Sequence, residues 1–411
     1  MENAPLEEAL DAMSDKVAEK KERLKRRRKR SRRTLAILLG VLLALLVVSI
    51  VPGGREFLLN TLYSCLPTDP KTIRLSGSPR EMGIKHGETR SWAIGALCDI
   101  YVRKILCGGE DSVFEARAGK ADELFDSLDP RWKEEIAGIA EGSGVDERAL
   151  ELGNCFLDLG YYRMGCREVV AFEKFPDGSA RLLHAHNLDW DNLGGIGNFI
   201  VTIFRTEGGD GRLATVRVGF PGMVGALTII NEKGISLGFN QLGLSNGEME
   251  GAPVFIAVRD IAETCGSFGE AEKRIMSLPK GMPFCITLAD AEAAEAAVYE
   301  RLEDGIARKR PAEGGIAAAD NSSWCGVDMS DCPVAAAAKA AGIFPGNASD
   351  ADGNGPVERL KGVLRNPKVL LGCNIYSVIF DFSGNKMHLA AGRIPAANGT
   401  YREYELFPVK E

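Results

Sequence analysis

The sequence predicts an α+β fold, and three observations carry the prediction. Residues 77–152 repeat their apolar positions at helical intervals. Beyond Gly165 that period gives way to short apolar stretches separated by Gly, Asp and Asn, as strands and turns require. The chain then closes on an alternating pair, 376–382 and 386–391, joined by Ser383-Gly384-Asn385, which reads as a hairpin. With 411 residues, 45% hydrophobic and 26% charged, wholly disordered and collagen-like readings fail.

Taken in order, residues 1–33 read as a charged tail holding 12 Lys/Arg against 7 Asp/Glu. That net of +5 leaves −12 for the rest, so the folded part is acidic and a bulk nucleic-acid binder is excluded. Residues 34–52 read as a transmembrane anchor. Leu35 to Val51 carries no charge, covers about 25 Å as a helix and ends at Pro52-Gly53-Gly54. The run Lys20 to Arg33, with 11 Lys/Arg and one Glu, keeps the tail cytoplasmic and sends the remainder to the outer side. A cleaved signal peptide is the rival, but 34 residues precede the apolar run and no A-x-A site follows it.

Residues 53–73 read as a linker and 74–165 as a helical region. Within the latter, Asp129-Pro130 opens a helix that spaces Trp132, Ile136 and Ile139 along one face. From residue 166 to 411 strands are expected at 169–172, 181–186, 199–204, 213–218, 226–230 and 235–239, with helices at 254–263 and 271–276. Residues 288–298 are rich in Ala, which favours helix, yet 297–301 and 305–310 flank Leu302-Glu303-Asp304 as a hairpin would. The second half of that stretch is therefore read as hairpin. All ten cysteines lie on the outer side, where disulfides are permitted; Cys325 with Cys332 closes the shortest candidate loop.

Four constellations could carry chemistry. Gly243-Leu-Ser-Asn-Gly247 fits a nucleophile elbow, but Glu248-Met-Glu-Gly-Ala-Pro253 is a poor helix start, so a turn is the better account. Asp350-Ala-Asp-Gly-Asn-Gly355 begins like a calcium loop and lacks the closing Glu, since Lys361 stands there. His184-Ala-His186 puts two imidazoles on one strand face with Asp189 close behind. With four histidines in the chain, structural roles are preferred to a metal site, and neither metal nor cofactor is expected. The fourth is Gly165-Cys166, where helices end and a thiol heads a strand, 168–172, that returns after Pro176-Asp-Gly178 into His186-Asn-Leu-Asp-Trp190.

The stretch from Gly165 to Trp190 resembles the N-terminal-nucleophile hydrolases of the isopenicillin-N acyltransferase (acyl-CoA:6-aminopenicillanic acid acyltransferase) family. Gly77-Ser-Pro-Arg-Glu-Met-Gly83 with Lys85-His86-Gly87 resembles the family's entry motif, and EEIAGIAEGSGVD (134–146) the helix before its cleavage site. Ile230-Asn-Glu-Lys-Gly-Ile-Ser-Leu-Gly-Phe-Asn240, Asp320-Asn321-Ser322, Val357-Glu-Arg359-Leu360 and the last hairpin through Pro395 follow in the family's order.

The resemblance implies a four-layer αββα sandwich and self-cleavage between Gly165 and Cys166. The products would be an anchored 1–165 α chain and a noncovalently held 166–411 catalytic β chain. It implies further that Cys166 attacks linear amides of an acyl group or small peptide, its own α-amine serving as base. Asn240 would supply an oxyanion donor and Asn321 a second contact. Asp189 would hold the α-ammonium, Arg359 would balance buried charge, and His186 and Asn187 would stand behind these. This chain has His186 ahead of Asn-Leu-Asp where many relatives carry Arg, and Arg167 after the nucleophile where Thr or Ser is common.

Overall fold

Ser78 and Pro79 begin the first helix as end-capping requires. Ser78 Oγ accepts the Glu81 amide at 3.4 Å, and Glu81 reaches back to the Ser78 amide at 2.8 Å. This helix, α1 (Pro79–Ala96), continues into a π-helical segment, Leu97–Leu106, and is followed by α2 (Asp111–Asp126), α3 (Pro130–Ser143) and α4 (Glu147–Cys155). The computed structural model describes residues 70–161, 165–174, 180–190, 197–243, 251–302, 305–309, 315–319, 332–343 and 355–408, all within one unit, Leu66–Glu411.

Helix α3 starts as expected, Asp129 capping the Arg131 amide ahead of Pro130, and ends at Gly144 with φ +74°. The two glycine-spaced motifs explain themselves once α1 and α3 are seen together. A Cβ added at Gly83 would overlap the Glu135 carbonyl oxygen, and one at Gly138 would overlap that of Arg80. Backbone meets backbone at this crossing, where a methyl group on either helix would force it apart.

The strands build two sheets. One has the order β1 (Lys71–Leu75), β4 (Thr202–Thr206), β5 (Thr215–Gly219), β6 (Thr228–Asn231), β7 (Ile235–Gln241), β8 (Phe284–Asp290), β9 (Glu295–Leu302) and β10 (Gly305–Lys309). The other has the order β11 (Gly315–Ala319), β2 (Gly165–Lys174), β3 (Ala180–Asp189), β12 (Asn374–Asp381), β13 (Lys386–Ala390) and β14 (Arg402–Glu405). Every neighbouring pair is antiparallel except β1 with β4. Strand β1 starts inside the stretch read as linker.

The sheets lie face to face. Val170, Phe172 and Leu182 of the six-stranded sheet meet Leu242, Cys285, Ala289 and Val298 of the other. On its outer face the six-stranded sheet presents Val169, Ala171, Leu183 and Ile379 to α7 (Pro333–Ala340) and α8 (Pro356–Leu364). The eight-stranded sheet turns Leu237 and Phe239 to α5 (Val254–Thr264), with α6 (Phe268–Met276) beside it. Successive side chains of β7 thus serve two different interfaces, and all seven positions are buried.

Two local expectations are corrected. The first half of 288–298 holds no helix, since β8 ends at Asp290 and β9 starts at Glu295 with small Ala side chains buried on both strands, while β9 pairs with β10 as the hairpin reading of the second half expected. Residues 199–204 are strand only from Thr202, after a single helical turn, Gly197–Ile200. The anchor at 34–52, the turn at 176–178, Asn321, Cys325, Ser245 and the loop at 350–354 lie outside the described residues. Among the described residues no helix is long and apolar enough to cross a membrane.

Candidate active site

Gly165 and Cys166 are the first two residues of β2, and the register with β3 decides what stands beside them. Gly165 faces Asp189 and Cys166 faces Leu188, so antiparallel pairing brings the backbone of the candidate nucleophile one strand spacing from Asp189. Asn374 fixes that strand end, its Nδ2 donating to the Leu188 carbonyl at 3.0 Å while its Oδ1 accepts the Ala397 amide at 2.9 Å.

Alternation along β2 sends Cys166, Glu168 and Val170 into the layer between the sheets, and across β3 Leu188, His186 and His184 go with them. This layer is polar at one level. Thr228 Oγ1 is hydrogen-bonded to both His186 Nδ1 and, at 3.0 Å, the Tyr376 hydroxyl. Tyr376 is pushed up, first by burial and further by the negative charge that Cys166 and Glu168 can carry, so its hydroxyl stands within electrostatic reach of the thiol. His186 Nδ1 lies 3.5 Å from Glu168 Oε1, and His184 Nδ1 lies 2.9 Å from Ser236 Oγ.

The Glu168 carboxyl rests on the backbone of Gly238, where an added Cβ would overlap it. Asn240 and Thr287 face it, yet neither closes a hydrogen bond of ordinary geometry to either carboxyl oxygen. The facing pairs climb in steps of two: Ser236 meets His184, which pairs with Val170, and Gly238 meets Glu168. The next step brings Asn240 toward the Cys166 end of β2.

Burial sets the protonation here. Glu168 is pushed up to about 8, the contacts with Thr287 and Asn240 only partly opposing the loss of water. His184 is brought down to about 3 by burial, and His186 well below its ordinary value by burial and then by His184. Both imidazoles are therefore neutral at neutral pH. Among the described residues no group of three or more His, Cys, Asp or Glu is arranged to hold a metal ion.

The remaining candidates point elsewhere. Asn187 stands on the outer face and donates to the Leu364 carbonyl of α8 at 3.0 Å, tying helix to sheet. Arg359 is half-buried on α8, the helix that covers that same outer face. Trp190, next after Asp189, stacks on Phe156 at 5.5 Å and meets Tyr101 and Phe220 edge-on. These rings line an apolar cavity of about 60 Å³ with Leu97, Met223 and Phe255.

The residues that sequence reasoning passed over are Glu168, Thr228, Tyr376 and Thr287. One signal was available. Glu168 is an acid directly ahead of Val-Val-Ala-Phe on a strand whose partner carries the two histidines.

Comparison with known proteins falls in with this geometry. The family model that matches is the acyl-coenzyme A:6-aminopenicillanic acid acyl-transferase family. The match spans residues 176–317, about a third of the chain, and contains Asp189, His186 and Asn240; it starts downstream of Cys166. No curated protein matches. Among solved structures, a Caenorhabditis elegans ortholog of N-acylethanolamine-hydrolyzing acid amidase is 16% identical, with a TM-score of 0.41, covering 59% of this chain and 100% of its own. A conjugated bile acid hydrolase from Clostridium perfringens is 12% identical, with a TM-score of 0.35, covering 58% of this chain and 92% of its own. The resemblance to the acyltransferase family thus rests on the sequence motifs and on the matched segment together.

Proposed function

We propose that the protein is an amidohydrolase or acyltransferase that attacks the C–N bond of an acyl amide or small peptide through Cys166. The observation that carries this reading is the β2–β3 register, which sets Asp189 across from the Gly165-Cys166 junction. Cys166 Sγ attacks the Gly165 carbonyl and the peptide nitrogen leaves as the α-amine of Cys166; water then hydrolyses the thioester, leaving residues 1–165 as α chain and 166–411 as β chain. The new amine, with a reference pKa of about 7.7–8.0, takes the thiol proton in each later turnover. Thiolate attack on the substrate carbonyl builds an oxyanion, for which Asn240 is a donor and Asn321 a second contact to substrate or amine, while Asp189 holds the ammonium and Arg359 counters buried carboxylate charge or helps position the amine. The ammonium returns its proton to the leaving amine, and water or an acceptor amine resolves the acyl thioester.

The apolar cavity beside Trp190 supports an acyl substituent on the substrate. In this reading residues 34–52 anchor the enzyme, 1–33 remain cytoplasmic, and the catalytic part works on the outer side. Intact mass and N-terminal sequencing test it: the wild type should yield a chain beginning at Cys166, and Cys166→Ala a single uncut polypeptide. A wild type that stays whole removes the self-processing step. The complete burial of Cys166 favours a second reading, a binding module of the same fold without turnover. A thiol-directed acyl probe separates the two, since only the enzyme loses labelling in Cys166→Ala.

A further inference from the structure

The inter-sheet layer contains a carboxyl that the mechanism above does not use. Glu168 is fully buried, two residues along β2 from the candidate nucleophile, and lies against Gly238, the one residue on that stretch of β7 that leaves room for it. Its other neighbours are Asn240 and Thr287 from the opposite sheet and His186 from β3. Burying this acid without an ion-pair partner, and beside an amide with unmet hydrogen bonds, is costly to stability unless it serves something.

We infer that Glu168 is a positioning residue whose buried carboxyl faces an N–H of Asn240 and holds that amide with its other N–H toward the Cys166 end of β2. The inference rests on the reading of Cys166 and Asn240 as nucleophile and oxyanion donor. A primary amide presents an acceptor on one side and two donors on the other, so whichever side Glu168 engages fixes what remains. As a neutral acid it accepts only weakly from the amide and leaves N–H capacity for an oxyanion. As a carboxylate it takes an N–H itself, and the donor turns inward.

Burial holds the imidazoles and the Tyr376 hydroxyl of this layer uncharged and brings Glu168 near neutrality, beside the α-amine that cleavage would expose. His186 and His184 from β3 are held neutral from below, and Tyr376 from β12 is held neutral from above. Cys166 shares β2, and Cys285 of β8 and Glu300 of β9 lie farther along the same layer. Glu168, pushed up to about 8, is protonated at neutral pH and ionises just above it. Turnover then rises with pH as the α-amine of Cys166 loses its proton and falls again as Glu168 loses its own.

The experiment is the pH profile of kcat for wild type, Glu168→Gln and Glu168→Ala on an acyl-amide reporter, with thiol-probe labelling of Cys166 and thermal melts run alongside. Glu168→Gln keeps an uncharged acceptor facing Asn240 at every pH, so its alkaline limb should vanish while the acid limb stays. Glu168→Ala should lower kcat by on the order of 10²-fold, the typical cost of a lost oxyanion donor, with KM little changed. A folded, labelled Glu168→Gln protein that keeps the wild-type alkaline limb, or a Glu168→Ala protein with undiminished kcat, overturns the inference and leaves the catalytic reading standing. A wild type that neither turns over amide nor labels at Cys166 sinks both, and the labelling shows which failed first.

Discussion

Two buried clusters of ionisable groups occupy this fold, and they are built on opposite plans. At the junction of α3 and α5, Arg259 donates to Glu135 at 2.8 Å and Glu263 at 2.5 Å, and Arg131 reaches Glu263 at 2.9 Å and Asp260 at 2.6 Å. Burial alone raises Glu263, but Arg259 and Arg131 hold it below the usual carboxylate range. Between the sheets, Glu168 has no cation beside it and stays an acid, while Asn240 and Thr287 approach it without closing their bonds. The first cluster pairs each buried carboxylate with a cation and locks helices together. The second keeps unmet polar groups at a dry site beside a thiol, the pattern expected where chemistry is done.

That contrast can be broken at either end. The largest effect should come from Cys166→Ala, which removes what the inter-sheet layer serves. Amide turnover and thiol labelling should disappear while the melting curve changes little, and retained hydrolysis would redirect attention to a serine or a metal.

Next is Arg259→Met. Taking the guanidinium away leaves Glu135 buried without its ion-pair partner and Glu263 with Arg131 alone, so stability should fall by about 3–5 kcal/mol, measured by urea unfolding. If the loss stays below about 1 kcal/mol, the two clusters are not different in kind.

Gly238→Ala presses on the Glu168 carboxyl, and overpacking of this sort costs about 1–3 kcal/mol. Its sharper signature should be kinetic, a fall in kcat larger than the loss of stability explains, because the carboxyl is pushed off Asn240.

The smallest effect at any one pH is a linkage slope. The native state holds a proton on Glu168 that the unfolded chain gives up, since the folded value lies near 8 and the ordinary one near 4.5. Stability from the neutral acid is whole below the ordinary value and is lost as pH rises through the folded one. Melts from about pH 5 to about pH 9 should therefore decline in the wild type and flatten in Glu168→Gln. Parallel declines would return the proton to another group.

Much of the scaffold was legible because its signals are local. Ser78 with Glu81 and Asp129 with Pro130 mark helix starts within a few residues, and the change of period at Gly165 marks β2. The cross-strand meeting of Gly165 and Asp189 follows from a strand, a turn and a strand. What escaped was settled at long range. Ala289 to Ala297 obeys two covered sheet faces rather than its helix propensity. Glu168 reads like an outward-facing position on a half-exposed strand until β7 lies over it, and its setting draws on Thr228, Asn240 and Tyr376, far apart along the chain. Asn187 was placed with the nucleophile by analogy of sequence, while alternation on β3 turns its amide to the Leu364 carbonyl of α8.

One consequence reaches beyond chemistry. Strand β1 comes from the upstream side of the Gly165-Cys166 bond yet zips in parallel onto β4, and the Arg259–Glu135 pair, the Gly222–His86 contact and the Val254–Asp158 contact also bridge upstream and downstream residues. Severing that bond would therefore leave a nicked particle whose halves stay interlocked, visible as two bands in denaturant and one peak in native sizing. Neither half keeps a whole interior by itself.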